Sequence, residues 1–322
     1  MFGKETIKNV LKRLKPWLVG DSLQLLGRMA SLQIRSQKAI SFLWDAEFKV
    51  SSQWGEDGII DWLIERAQIP PVSQSFIEFG VGTYREANTR FLLQNRNWRG
   101  LIMDCGTAMV ATVKEDNLAW AHALTVRPAF ITRENINELI SSSGFGGDIG
   151  LLSVDIDGND YWIWEAILTV RPIICVCEYN AVFGDVYPIC TPYDSSFDRT
   201  KAHHSNLYFG ASIAALRSLA AQKGYRFVGT NSPGNNAFFV REDYAKQFVD
   251  SSLQHIQALP SFFRESRDES GQLNYIGGME RLKHISTLPV VNVETGETVR
   301  LGDLKSVYSK EWLEKMTGAT AV

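Results

Sequence analysis

Phe76-Ile77-Glu78-Phe79-Gly80-Val81-Gly82-Thr83 is the stretch whose reading decides the fold. Phe76–Phe79 is a short apolar run, as a buried strand requires. Gly80 and Gly82 then end it. Without a Cβ, each lets the backbone turn where other residues clash, and lets a ligand approach the main chain. Tyr84–Asn95 reads as the helix that follows, its N-terminus facing whatever the turn holds. Glu78, at the end of the strand, can accept a hydrogen bond from an ammonium group.

Outward from this turn, strand and helix patterns alternate. Gly100–Met103 is a second strand ending at Asp104, and Ala121–Val126 a third, followed by a helix at Arg133–Ser141. Leu151–Val154 is a buried strand, with a helix from about Tyr161 to Val170. Ile173–Cys177 is the next strand, and Tyr208–Lys223 contains a helix ending near Gly224. Arg226–Gly229 and Ala237–Val240 are two final strands joined by Asn231-Ser232-Pro233-Gly234-Asn235. This order predicts an α/β protein with a mostly parallel, Rossmann-like sheet covered on both faces and closed by an antiparallel hairpin. Residues 1–50 read as an N-terminal helical segment, 51–245 as the core domain and 246–322 as a C-terminal appendage.

A glycine turn alone is weak evidence of a ligand. Asp104 strengthens it, because an acid at the end of the next strand can bind both hydroxyls of a ribose. The pair fits a nicotinamide cofactor or S-adenosylmethionine. The third glycine of G-x-G-x-x-G is missing, with Glu86 and Ala87 in its region. That glycine supports close packing beside a pyrophosphate, which S-adenosylmethionine lacks. The balance therefore favours a class I methyltransferase over an oxidoreductase.

Composition narrows the partners. The chain has 322 residues, 45% of them hydrophobic, and a net charge of −3, so a large core forms and no basic field for nucleic acid exists. Cys105, Cys175, Cys177 and Cys190 lack the C-x-x-C spacing of a zinc or redox site and read as reduced thiols. No apolar run approaches the roughly 20 residues that span a bilayer, and no signal-like run opens the chain, so a cytoplasmic location is expected. Lys4, Lys8, Lys12, Arg13 and Lys15 interleave with Ile7, Val10, Leu11, Leu14 and Leu18. Such a cationic amphipathic pattern suits packing on the domain, a second subunit in an oligomer, or peripheral contact with an anionic membrane.

A second constellation follows the later strands. Asp155 and Asp157 end one strand, and Glu178 and Asn180 end the next. Ligands gather at this edge of parallel sheets. Asp155, Glu178 and Asn180 offer hard oxygen ligands that suit Mg²⁺, or they bind substrate hydroxyls without metal. Asp160 or Asn159 is instead expected to cap the next helix. His203 and His204, in the polar loop Thr191–Asn206, are candidate bases near neutral pH, with Asp157 a third catalytic candidate. Trp162 and Trp164 read as packing, while Tyr179, Phe183, Tyr187 and Tyr193 could stack on a sugar.

Ser52-Gln53-Trp54-Gly55-Glu56-Asp57, the Glu78 turn, Trp98-Arg99-Gly100 with Asp104, and Ser153-Val154-Asp155-Ile156-Asp157-Gly158 together resemble the FkbM-type methyltransferases over roughly residues 50–245. The resemblance implies a class I fold, S-adenosylmethionine, and O-methylation of a sugar hydroxyl in a glycan or glycosylated metabolite. Gln53 joins Glu78, Gly80, Gly82 and Asp104 in the expected cofactor site. Asp157 departs from the family, where many members carry Glu. Other acceptors (a phosphoramidate, an amine or a protein side chain), a nicotinamide oxidoreductase and an idle scaffold remain as alternatives.

Overall fold

The computed structural model describes residue 20 and residues 22–317. The basic pattern from Lys4 to Leu18 lies outside these residues. The described chain starts in a helix, α1, over 22–36. A central sheet follows, of β1 (Ser75–Phe79), β2 (Arg99–Asp104), β3 (Leu124–Pro128), β4 (Gly147–Val154), β5 (Val170–Glu178), β7 (Tyr225–Thr230) and β8 (Asn236–Arg241), with β6 (Ile189–Cys190) elsewhere. Its order is β3-β2-β1-β4-β5-β8-β7, and only β8 runs against its neighbours. This is the mostly parallel sheet with a closing hairpin expected above. Chain direction across it reverses between β1 and β4, which pair directly with Phe79 opposite Val154. Ligand crevices of open α/β sheets form beyond the strand ends at such a switch.

Helices cover both faces: α2 (Glu56–Ala67), α3 (Arg90–Arg96), α4 (Ala108–Glu115), α5 (Leu118–Ala121), α6 (Ile136–Ser142), α7 (Asp160–Ala166), α8 (Arg199–Ala202), α9 (Ile213–Gln222), α10 (Glu242–Ser252), α11 (Glu280–Ile285) and α12 (Lys310–Thr317). One buried cluster joins the sheet to the residues of α6, α7 and α9, and the other joins it to α2, α4 and α10. Parallel strands buried on both faces need near-continuous apolar runs, and Ile173, Ile174, Cys175, Val176 and Cys177 of β5 are all at most 1% exposed. Cys175, Cys177 and Cys190 are buried free thiols, whereas Cys105 is exposed.

Several boundaries differ from expectation. The helix expected over Tyr84–Asn95 forms only from Arg90, because residues 80–89 make a longer turn in which Tyr84 has φ +62°. Residues 118–121 are a helical turn, so β3 starts at Leu124. The helix sought in Tyr208–Lys223 starts at Ile213, where the Ser212 hydroxyl accepts from the amide of Ala215.

Beyond α10 the chain pairs β9 (Pro289–Asn292) with β10 (Thr298–Arg300) and with β6, giving a small antiparallel sheet. Its Val290, with Leu301 just after β10 and Trp312 of α12, belongs to the same buried cluster as α7 and α9. No helix among the described residues is long and apolar enough to cross a membrane.

Candidate active site

Gly80 and Asp155 follow directly on β1 and β4. Gly80 has φ +74°, and a Cβ there would lie 1.4 Å from the carbonyl oxygen of Asp155. The backbones of the two strand ends therefore touch, and only glycine permits it. On the far side, Asp104 ends β2 and bridges the turn. Its Oδ2 accepts from the amide of Gly82 at 2.8 Å, and its Oδ1 from the amide of Gly106 at 2.7 Å.

Glu78 sits differently from expectation. It is 4% exposed, and its carboxylate accepts from the amides of Asn88 and Thr89 at 2.7 and 3.0 Å and from the Thr89 hydroxyl. It thus satisfies the start of α3 itself. The helix N-terminus expected to face a ligand is filled by the protein's own anion. Burial pushes the Glu78 carboxyl up to about 7, against the lowering effect of these hydrogen bonds.

Two cavities open on the strand ends. One, of about 240 Å³, lies over Gly80, Gly82, Asp104, Phe130, Ile131 and Ile156. The other, of about 290 Å³, is lined by Gln53, Glu78, Asn88, Asp155, Glu178, Arg199 and neighbours. Gly80, Asp155 and Asp157 line both. The cavities meet at the switch point, and a ligand can run from Asp104 past Gly80 to Glu178.

The second cavity carries the chemistry. Carboxylate oxygens of Asp155, Asp160 and Glu178 lie within 4.8 Å of one another. Asp160, the first residue of α7, does not cap the helix as expected but ties down the turn before it: its oxygens accept from the amides of Ile156 and Gly158 at 2.8 and 2.9 Å, and Asn159 at the N-cap makes no side-chain bond to the helix. Burial raises the Asp160 carboxyl to about 6. Glu178 Oε2 is buried and has no partner among the described residues. Burial, then the charges of Asp157 and Asp160, push Asp155 well above the usual carboxylate range. Burial, then the charge of Asp155, does the same to Glu178. Such a trio is suited to a hard cation, whose charge would offset both penalties.

Asn180 does not join it. Its amide donates to the carbonyls of Leu207 and Phe209 at 2.8 and 2.9 Å, and its oxygen accepts from the amide of Val182 at 2.9 Å. All of its side-chain groups are thus engaged in fixing the loop after β5, although it lines the same cavity, and the acid grouped with Asp155 and Glu178 is Asp160. His203 and His204 line neither cavity. Their rings lie 4.2 Å apart, and His203 Nδ1 is 2.7 Å from the Ser205 hydroxyl. Burial and the neighbouring His204 and His284 lower the His203 pKa. The four-residue helix α8 turns Arg199 into the cavity and leaves the histidines beyond it.

Arg199 was not foreseen. Its Nη1 lies 2.5 Å from Asp157 Oδ1, its Nε donates to the carbonyl of Asn206, and its guanidinium lies 3.8 Å from the centre of the Phe209 ring. Burial opposes its charge, but Glu178 and Asp157 hold its pKa up. Asp157, with φ +57°, is thereby fixed at the rim. One arginine in a polar loop carries no local signal of such a role.

The Ser52–Asp57 motif proves largely architectural. Asp57 Oδ2 accepts from the amides of Val50, Ser51 and Ser52, and Glu56 Oε2 from those of Trp54 and Gly55. Gln53 alone in the motif reaches the cavity. Tyr179 and Phe183 are fully buried, and Tyr193 bonds Glu134.

No family model matches the chain, and no curated protein matches it. Solved structures resemble it in fold. An O-methyltransferase family protein from Burkholderia thailandensis is 13% identical, with 58% of this chain and 59% of that one covered and a TM-score of 0.35. An S-adenosylmethionine-dependent methyltransferase from Clostridium acetobutylicum is 8% identical over 58% of this chain and 90% of that one, with a TM-score of 0.35. The N-terminal domain of EvdMO1 with SAH bound is 10% identical over 67% of this chain and 93% of that one, with a TM-score of 0.38. The chain thus spans 59% of the length of the first of these.

Proposed function

We propose that the protein is an S-adenosylmethionine-dependent O-methyltransferase that acts on a sugar hydroxyl. The observation that carries this reading is the meeting of two cavities at Gly80, Asp155 and Asp157. One is walled by the glycine turn and Asp104, the other by carboxylates. The motif resemblance to FkbM-type enzymes is part of the same proposal.

S-adenosylmethionine supplies an electrophilic methyl group. Asp104, with the amides of Gly82 and Gly106 on its oxygens, is oriented to receive ribose hydroxyls. Phe130 and Ile131 offer an apolar wall to a base. Gly80 lets the two strand ends meet, since any side chain there would strike Asp155. The chemistry of in-line displacement depends mainly on alignment, and a rigid switch point serves it.

Asp155, Asp160 and Glu178 would hold Mg²⁺. That ion would supply Lewis-acid lowering of an acceptor hydroxyl's pKa. Fit is supported by the 4.8 Å grouping and by the unpartnered Oε2 of Glu178. Arg199 holds Asp157 beside this group and packs on Phe209 in the cavity lining.

Calorimetric titration tests the reading. S-adenosylhomocysteine should bind in the micromolar range, NAD should not, and Asp104→Ala should abolish the heat of binding. Tight NAD binding with no response to S-adenosylhomocysteine would replace the methyltransferase by an oxidoreductase.

A further inference from the structure

The wall of the acceptor cavity opposite the sheet comes from the C-terminal segment. Residues 258–267 form no helix or strand and run from the tip of the β7–β8 hairpin to the loop that carries Arg199. The amide of Phe262 donates to the carbonyl of Pro233 at one end, and the amide of Arg267 to that of Ser205 at the other. Tyr179 also holds this strap, its hydroxyl donating to the carbonyl of Leu259.

Exposure alternates along this segment. Ser261, Phe263 and Glu265 line the cavity, whereas Phe262 and Arg264 between them are exposed, Phe262 to 60%. Behind the strap lies Arg281, only 4% exposed. Its guanidinium donates to the carbonyls of Phe263 and Ser261 at 3.0 and 2.7 Å. A buried arginine spent on two backbone carbonyls is a costly way to hold a loop, and it sets the inward face of the strap in one position.

The charge of the cavity is one-sided. Six carboxylate side chains and two guanidiniums line it. Arg281 is occupied by the strap and Arg199 by Asp157. Arg281 keeps one buried nitrogen, Nε, without a partner among the described residues, and Glu265 faces inward, 3.9 Å from Arg199 and 3.5 Å from Arg267, so carboxylates outnumber the cations that could meet an anionic substituent.

We propose that strap 258–267 is the acceptor-recognition wall, with Phe263 against the C–H face of a hydroxylated ring and Ser261 and Glu265 on its hydroxyls, and that the ring carries no anionic group. This rests on the sugar-acceptor reading above and adds to it the specificity residues and the charge class. Aromatic rings favour the apolar face of such a substrate, and the excess of carboxylates over guanidiniums in the lining disfavours uronates by like charge. Arg281 is a positioning residue and acts through the strap.

Saturation-transfer NMR on the full chain tests this, with methyl glycosides of common hexoses and 6-deoxyhexoses, their 2-amino forms, and D-glucuronate as probes. Neutral or amino glycosides should bind and glucuronate should not. Phe263→Ala and Glu265→Gln should each weaken the bound glycoside about tenfold, and Glu265→Gln should begin to admit glucuronate. Phe263→Leu keeps the core volume and guards against misfolding, and it should weaken binding in the same direction. Phe262→Ala, whose ring is 60% exposed and shares only the Trp54 edge contact with Phe263, should weaken binding far less than Phe263→Ala. Glucuronate binding as well as its neutral counterpart, strap variants binding like wild type, or no glycoside bound by protein that binds S-adenosylhomocysteine would each overturn the proposal. Glycoside binding that obeys these rules without any binding of S-adenosylhomocysteine would leave the strap standing and remove only the methyl donor.

Discussion

Removing one charge from the carboxylate trio should stabilise the protein when no divalent ion is present. Oxygens of Asp155 and Glu178 lie within 4.8 Å of each other. If both are ionised at an effective dielectric constant of about 20, they repel by at least about 3.5 kcal/mol. Glu178→Gln deletes that term. The new amide forgoes part of the gain through imperfect hydrogen bonding, by about 1–3 kcal/mol, so a net stabilisation of about 2 kcal/mol is expected. The sign depends on pH. Burial and like charge raise both carboxyls in the fold, so the unfolded chain loses these protons first and wild-type stability falls as pH rises. The variant's advantage should therefore be small at pH 5 and full at pH 8.5. Urea unfolding in EDTA at these two pH values measures it. Magnesium should reverse the ranking, because a ligand at 100 times its Kd stabilises the native state by about 2.7 kcal/mol and only wild type would hold it. A Glu178→Gln protein that is less stable in EDTA at pH 8.5, and that magnesium protects as much as wild type, would refute the reasoning.

Gly80→Ala puts a methyl group 1.4 Å from the Asp155 carbonyl at φ +74°, and should cost about 3 kcal/mol or more in denaturant unfolding and abolish S-adenosylhomocysteine binding by calorimetry. The Glu78 carboxyl rises to about 7 in the fold. Its contribution to stability is full below the unfolded value near 4.5 and declines by about 3 kcal/mol as pH climbs to 7, so Glu78→Gln should flatten that part of the stability profile. Asp61, 3% exposed, accepts from Ser31, Arg35 and Arg96. Asp61→Ala should lower unfolding free energy by about 3–5 kcal/mol without altering S-adenosylhomocysteine affinity.

Much of the core was legible because its causes are local. Apolar runs set β1, β2, β4 and β5, and glycines after β1 marked the ligand edge. Asp104 and Asp155 were readable because position at a strand end implies position at the sheet edge. The turn Asp157-Gly158-Asn159 was readable, but the amides that Asp160 takes belong to that turn and not to the helix it was expected to cap. Where a side chain's partner lay far along the chain, local pattern was blind. Glu78 was read as free for a ligand, yet the amides of Asn88 and Thr89 claim it. Asn180 was read as a ligand, yet the carbonyls of Leu207 and Phe209 claim it.

The sequence by itself thus determined the alternation of elements, the glycine turn and the acids at the strand ends, since short-range sterics and burial encode them. Only the tertiary structure decided which acids face one another, that Arg199 rather than His203 or His204 enters the cavity, and that residues 258–267 close it from behind. Those outcomes rest on contacts between segments up to more than a hundred residues apart, such as Tyr308 with Val182. Their energies depend on the assembled sheet, and no window of the chain carries them.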